Sequence, residues 1–304
     1  MRIARVAAFA LTTTAAFAQF GGKPGEAVIY LLSSKGNQTF DAVPATTANT
    51  PAAAAKFEVL DPFKLKESSP GDDFPQLKIY FMHRDPDDVF QLIVQDDVTA
   101  VPHHVYLTTF KIFVTKGTRR DYGYDFEQPR DFTPGGYTTF LKFADLGPNL
   151  SMGGDLYVLG WSNNDARPPL NISPPNTPGP AVPPGKTGTE LVVDFAVLPP
   201  LQPWTPARLK YPGANWPDGV DFKFLEDDPI QGNVTQQLRL KPGRKTPNAR
   251  IRGNTHFYVL QGTVVLTPSG GGRPITLKPD TYVYIPNGFA FTLSNPRTSL
   301  LGGL

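Results

Sequence analysis

Two runs near the C-terminus, "THFYVLQGTVV" at 255–265 and "LKPDTYVYIPNGFAFTLSN" at 277–295, decide how this chain is read. Both are rich in β-branched and aromatic residues, and the Gly-rich turn "SGGGR" at 269–273 separates them, which is the signature of paired strands. Gly262 closes the first run, and the second carries Pro286 and Gly288 in "IPNG". Small β-barrels frame metal sites between runs of this kind, so the pattern directs attention to the side chains that would supply the ligands.

Working outward, the same texture fills the chain. "AVIYLL", "FEVL", "LKIYFM", "VFQLIV", "HVYLTTFKIFV", "GYTTFLKF", "DLYVLGW" and "TELVVDFAVL" read as strands bounded mostly by Gly, Pro, Asn or Asp. No window sustains a helical stripe, and "TPAAAAKFEV" predicts one short helix. "TTANTPAAAA" reads as a loop. The segment 164–188 holds eight prolines and reads as an extended, semi-rigid connector. The predicted organisation is a leader at 1–18, an N-terminal β domain at 19–165, a Pro-rich linker at 166–188 and a C-terminal β domain at 189–304.

The two domains read as copies. At a shift of 145, Val89 falls on Val234, Gln91 on Gln236, Pro102 on Pro247, Gly117-Thr118 on Gly262-Thr263, Pro134 on Pro279 and Tyr137 on Tyr282. With a two-residue gap, Asp85-Pro86 falls on Asp228-Pro229. One constant offset over about fifty residues points to a tandem repeat of a small β-barrel.

The N-terminus "MRIARVAAFALTTTAAFAQF" has Arg2 and Arg5, an apolar run and Ala16-Phe17-Ala18 before Gln19. It reads as a secretory signal cleaved after Ala18, too short and too Thr-rich to span a bilayer. Removing Arg2 and Arg5 leaves 29 − 2 = 27 basic against 27 acidic residues, so composition offers nothing to a nucleic acid or an anionic membrane. No later segment reaches eighteen uninterrupted apolar residues. The expected protein is secreted and extracellular. It has no cysteine, so packing rather than disulfides must hold it. N-x-S/T sequons at Asn37, Asn149, Asn171 and Asn233 suggest a glycoprotein, with those residues in surface turns if modified.

The C-terminal copy resembles the cupin family, whose motifs are G(X)5HXH(X)3–4E(X)6G and G(X)5PXG(X)2H(X)3N. Pro286, Gly288 and Asn295 keep the spacing of the second motif, and Gly262 closes the first. Asp280 replaces the second motif's opening glycine, and Gly243 sits one place off the first motif's. Two copies, a leader and a Pro-rich connector resemble the extracellular two-cupin quercetin 2,3-dioxygenases of fungi. "IFVTKG" at 112–117 and "TPGGY" at 133–137 are similar to their first-domain motifs. The resemblance implies an all-β fold of two tandem jelly-roll barrels joined by the Pro-rich linker, and a catalytic metal in the N-terminal one.

The ligand positions that the resemblance implies hold few donors. With a four-residue gap in the first motif they fall on Asn248, Arg250, Thr255 and Phe291 in the C-terminal copy, and on His103, Val105, Phe110 and Leu146 in the N-terminal copy. A mononuclear site needs three or four converging N/O donors, so no metal and no cofactor is expected. A register one residue later turns His104 and Tyr106 inward instead. The chain has four histidines. His256 should point away from Thr255 by strand alternation, and His83 reads as a surface residue at a strand end. The acidic doublets, Asp72-Asp73, Asp87-Asp88, Asp96-Asp97 and Asp227-Asp228, read as turn residues. No G-x-S-x-G, H-E-x-x-H or Cys/His arrangement supplies a nucleophile or a zinc site.

What remains is a pocket for a small molecule, aromatic or sugar-like, with His103, Phe110, Asn248, Arg250, Thr255, Tyr282 and Phe291 expected to face the barrel interiors. Arg250 inside would need a partner or a ligand, and Tyr282, Tyr284 and Phe291 would form aromatic walls. The alternative is a quercetinase-like dioxygenase holding Cu, Fe, Mn or Ni at a non-standard site around His103, or at one built from His83, either His103 or His104, and a carboxylate.

Overall fold

The computed structural model describes residues 20–34, 40–68, 74–85, 88–102, 104–106, 108–123, 129–140, 145–163, 203–228 and 232–297. The leader at 1–18, the linker at 166–188, His103, Asn37 and Asn171 lie outside them. In chain order the first strands are β1 (Ala27–Ser34), β2 (Phe40–Ala42) and β3 (Glu58–Leu60). Next come β4 (Leu77–Asp85), β5 (Asp88–Gln95), β6 (Ala100–Val101), β7 (His104–Val105), β8 (Phe110–Gly123), β9 (Arg130–Phe132), β10 (Tyr137–Phe140) and β11 (Asp145–Ser162). The last group is β12 (Thr205–Pro206), β13 (Val220–Asp228), β14 (Asn233–Leu240), β15 (Ala249–Ile251), β16 (Asn254–Gln261), β17 (Val264–Pro268), β18 (Ile275–Leu277), β19 (Tyr282–Ile285) and β20 (Ala290–Ser294). The predicted short helix forms at Pro51–Lys56, where Thr50 accepts a hydrogen bond from the Ala53 amide and Pro51 suits the first helical position.

Residues 62–198 form one unit; residues 1–61 and 199–304 form the other. In the N-terminal unit the strands run β10-β8-β11-β5-β4, with β6 and β7 paired to β11 and β9 to β8. In the C-terminal unit two sheets, β12-β13-β14-β1-β16-β19-β3 and β18-β17-β20-β15-β2, enclose one apolar core that includes Leu31, Phe222, Leu238, Phe257, Val283 and Phe291. Every strand pair is antiparallel, the jelly-roll pattern that buries one face of each sheet.

The repeat holds at the level of register. Tyr137 pairs with Phe113 and Tyr282 with Tyr258; Phe140 pairs with Phe110 and Ile285 with Thr255. Strands β5 and β14 are offset by 145 at both ends. The β4–β5 hairpin slips between Phe81 and His83, and the β13–β14 hairpin slips at the equivalent place, between Phe224 and Glu226. The two-residue gap falls in the connection, two residues long between β4 and β5 and four between β13 and β14. Gly117 and Gly262 both adopt the left-handed conformation, at φ 75° and 74°.

The predicted domain boundary is corrected for residues 19–61. β1 lies between β14 and β16, β2 pairs with β15 and β3 with β19, so this segment belongs to the C-terminal barrel. The reason is visible in β11, which is continuous. Its first half pairs with β6 and β7, and its second half lies between β5 and β8. In the C-terminal barrel β20 takes the place of the first half and β1 that of the second: Leu156 opposite Gln95 matches Ala27 opposite Leu240. A strand buried on both faces, as all of β1 is, carries no alternation to reveal its partners.

Two sequons are corrected as well. Asn149 and Asn233 lie in strands β11 and β14 and are 3% and 1% exposed, which leaves no room for a glycan in the folded barrels.

Candidate functional site

The N-terminal barrel holds a small, partly open cavity of about 30 Å³. Strand β8 builds one wall. Phe110, Ile112 and Val114 face inward by alternation, and the pairing of β8 with β11 then slips beside Gly117. A Cβ at Gly117 would lie 2.8 Å from the Asp155 carbonyl oxygen, besides being strained at this φ. The bulge shifts the phase, so that Arg119 and Asp121 turn inward. Apolar walls come from Ile93, Val101, Phe110, Leu156 and Val158; the polar lining is Gln95, His104, Tyr106, Arg119 and Asn149.

The charged centre is a buried pair. Arg119 Nε donates to Asp121 Oδ1 at 2.6 Å, with side chains 7% and 1% exposed. Burial raises the Asp121 carboxyl above its ordinary value, against the pull of Arg119. Burial works against the Arg119 cation too, but Asp121 and Tyr106 more than offset it and keep it charged. Burial also raises the Tyr106 phenol, which is therefore neutral. Arg119 Nη2, Asp121 Oδ2 and Asn149 Oδ1 are buried without a hydrogen-bond partner among the described residues. Each such group costs about 1–3 kcal/mol if left so.

The surroundings are aromatic. Tyr106 stacks on Phe140 at 5.0 Å and on Phe110 at 5.1 Å between ring centroids, and the Arg119 guanidinium lies 5.5 Å from the Phe140 centroid. His104 meets Tyr106 edge-on, and its Nδ1 lies 2.7 Å from the Pro102 carbonyl oxygen. A carbonyl only accepts, so Nδ1 carries the proton.

No known family signature matches the chain, and no curated protein matches it. Solved structures do. A provisionally named dioxygenase from Nostoc punctiforme PCC 73102 aligns over 79% of each chain with a TM-score of 0.57 at 16% identity. An oxalate decarboxylase from Lactobacillus farciminis aligns over 83% of this chain and 85% of its own, with a TM-score of 0.49 at 11% identity. A cupin 2 conserved barrel domain protein from Leptotrichia buccalis aligns over 79% and 91%, with a TM-score of 0.46 at 10% identity. The chain has the cupin fold.

Among the described residues, the cupin ligand positions of the C-terminal barrel do not become a ligand set. In the C-terminal barrel Thr255 and Phe291 face inward as expected. Thr255 Oγ1 donates to the Gly253 carbonyl at 3.4 Å, and Phe291 packs on Phe257 at 5.8 Å. Asn248 and Arg250 do not, because Ala249 and Ile251 take the inward places. Alternation sends their neighbours to the other face, where Arg250 is half-buried with its Nε lacking a hydrogen-bond partner among the described residues. Asn248 instead donates to the Val43 and Pro44 carbonyls at 3.1 and 2.9 Å and accepts from the Ser269 hydroxyl. Tyr282 is corrected too: Val283 and Ile285 face the core, so Tyr282 and Tyr284 occupy the other face. There Tyr282 bonds His256 Nδ1 at 2.7 Å, and His256 points away from Thr255 as alternation required.

In the N-terminal barrel Phe110 lines the cavity, and so do His104 and Tyr106, the pair one residue later in register. Among the described residues the cavity offers one imidazole, with the Asp121 carboxylate beside it engaged by Arg119. That donor set does not fit a mononuclear metal ion. A site shared by His83 and His104 does not assemble either, since His83 pairs opposite Phe90, on the other face of β5 from Gln91 and Ile93. There His83, Asp85 and Asp88 bring three ligand atoms within 4.8 Å of one another, and Asp88 accepts from Trp161 Nε1 at 2.7 Å.

Sequence reasoning missed Arg119, Asp121, Gln95 and Asn149. A signal was present. At the 145 offset Arg119 and Asp121 correspond to Val264 and Leu266, both in the C-terminal core. The pairings agree: Arg119 lies opposite Phe132 and Val264 opposite Leu277.

Proposed function

We propose that this protein binds a small molecule, aromatic or sugar-like, in the N-terminal barrel without a metal. The observation that carries the reading is the replacement of a Val264–Leu266 core pair by Arg119 and Asp121, next to a cavity, with Arg119 Nη2 and Asn149 Oδ1 left to meet a ligand. A buried ion pair contributes little to stability that well-packed apolar side chains would not, so its presence in one barrel alone argues for recognition. Apolar walls and a few convergent polar groups are the ordinary composition of a ligand pocket. The stack of Phe110, Tyr106 and Phe140 suits a planar face. In this reading the chain is exported after cleavage before Gln19, and N-terminal sequencing of secreted material would begin there.

Calorimetric titration of the purified full chain with a panel of hydroxylated aromatics and sugars tests the pocket. Binding that is lost in Arg119→Met supports it; no binding across the panel removes it. The alternative, a quercetinase-like dioxygenase, draws on the fold likeness to a dioxygenase-named protein and separates cleanly. Stoichiometric Cu, Fe, Mn or Ni in the purified protein, with O₂ consumed on addition of a flavonol, would replace the metal-free reading.

A further inference from the structure

We infer that the N-terminal pocket selects uncharged ligands over carboxylates, and that Asp121 sets this preference by neutralising Arg119. The inference rests on the reading of this barrel as a binding pocket and goes beyond it in naming the charge of the occupant.

A lone guanidinium at the end of an apolar cavity would be a carboxylate trap. Here the trap is already closed. Asp121 holds Arg119 Nε at 2.6 Å and is 1% exposed, so the pair as a whole is neutral. A ligand carboxylate reaching Arg119 Nη2 would place a second negative charge beside a buried one with only a single cation between them. Like charges in a desolvated site repel strongly. Among the described residues lining the cavity, the one other group able to become a cation is His104.

Hydrogen bonding points the same way. Arg119 Nη2 is a donor and Asn149 Oδ1 an acceptor, both buried, both on residues lining the cavity and both without a partner among the described residues. A hydroxyl or a primary amide can accept from the first and donate to the second. A carboxylate has no hydrogen to give and leaves Asn149 unsatisfied. Asp121 does not line the cavity, so it acts through Arg119 as a positioning residue.

The test uses benzamide and benzoate, which share a shape and differ in charge, titrated into the full chain at pH 8. Wild type should bind benzamide at least tenfold more tightly than benzoate. Asp121→Asn should reverse the order, and Asp121→Glu, which restores the charge, should restore the preference. If Asp121→Asn does not fold, Arg119→Val with Asp121→Leu serves instead and should bring the two affinities within about threefold of one another. Benzoate binding to wild type as tightly as benzamide would overturn the inference while leaving the pocket intact. So would an unchanged ratio in Asp121→Asn, or in the double variant where it stands in. Binding of neither probe would instead overturn the pocket, and the inference with it.

Discussion

The two barrels share most of their register, yet one is filled by an apolar core where the other holds a polar-lined cavity. In the C-terminal barrel Leu31, Leu240, Ala249, Ile251, Val264 and Leu266 all belong to one packed core. The equivalent places in the N-terminal barrel hold Gly160, Gln95, His104, Tyr106, Arg119 and Asp121, each matched by strand pairing. The strand pairing is shared around these positions, so the difference there lies in the side chains. Apolar side chains serve at these places in one barrel, so the fold itself does not require polar ones in the other.

Breaking the pair should produce the largest effect. Asp121→Leu alone leaves the Arg119 cation buried and unpaired, and is expected to destabilise the N-terminal unit by about 3–5 kcal/mol in urea unfolding. Copying the other barrel in full, Arg119→Val with Asp121→Leu, should instead be neutral or stabilising by about 1–4 kcal/mol, with the preference for benzamide over benzoate lost. A double variant as unstable as the single would mean that the two barrels are not equivalent at these positions. A smaller effect is expected at Gly160, where a Cβ would lie 2.8 Å from Phe110 Cζ. Gly160→Leu, the residue of the sister barrel, should cost about 1–3 kcal/mol by overpacking and narrow the cavity.

A pH-dependent effect concerns Lys210 and Lys223 of the C-terminal unit, which sit on aromatic faces rather than in a core pair. Lys210 Nζ lies 4.6 Å from the Phe224 centroid and Lys223 Nζ 4.6 Å from the Trp204 ring. Burial pushes Lys210 down to about 8, against the pull of Asp227, and burial with Arg239 pushes Lys223 down to about 8. An unfolded lysine keeps its proton to about pH 10.4. Above pH 8 the unfolded state therefore binds more protons than the folded one, and stability should rise with pH. Near pH 10 the trend should reverse, because burial pushes Tyr211 up to about 12 while an unfolded tyrosine ionises near 10. Thermal unfolding across pH 7 to 11 reads this directly, and Lys210→Met should flatten the rising limb.

Much of the fold was legible because repetition is a property of spacing. Residues 85–137 and 228–282 carried their register in the sequence, down to the gap that became a longer turn in the second hairpin. The place of β1 was not legible, since "AVIYLL" is apolar on both faces and its partners lie far along the chain. The site was half legible. Phe110, Thr255 and Phe291 were placed inward, but the motif's first gap can be three or four residues, and four put Asn248 and Arg250 where Ala249 and Ile251 stand. A strand cannot absorb such an error, because one residue of slip exchanges the faces. Arg119 and Asp121 escaped notice for a different reason. Charges in a strand read as its wet side until the bulge at Gly117 is known.

The position of β1 also sets an order of events. Ala27 pairs with Leu240 and Val28 with Gln261, so a strand made at the start of synthesis finds its neighbours only after more than two hundred residues have followed it. The N-terminal barrel, contained within 62–198, can close meanwhile with contacts near in sequence. A growing chain delivers its N-terminal parts first, and loops this long make pairing slow. Throughout that interval "AVIYLL" is an unpaired apolar strand with two open edges, the form of chain most prone to pair with a stranger. The topology thus leaves β1 without its second neighbour until β16 has been made.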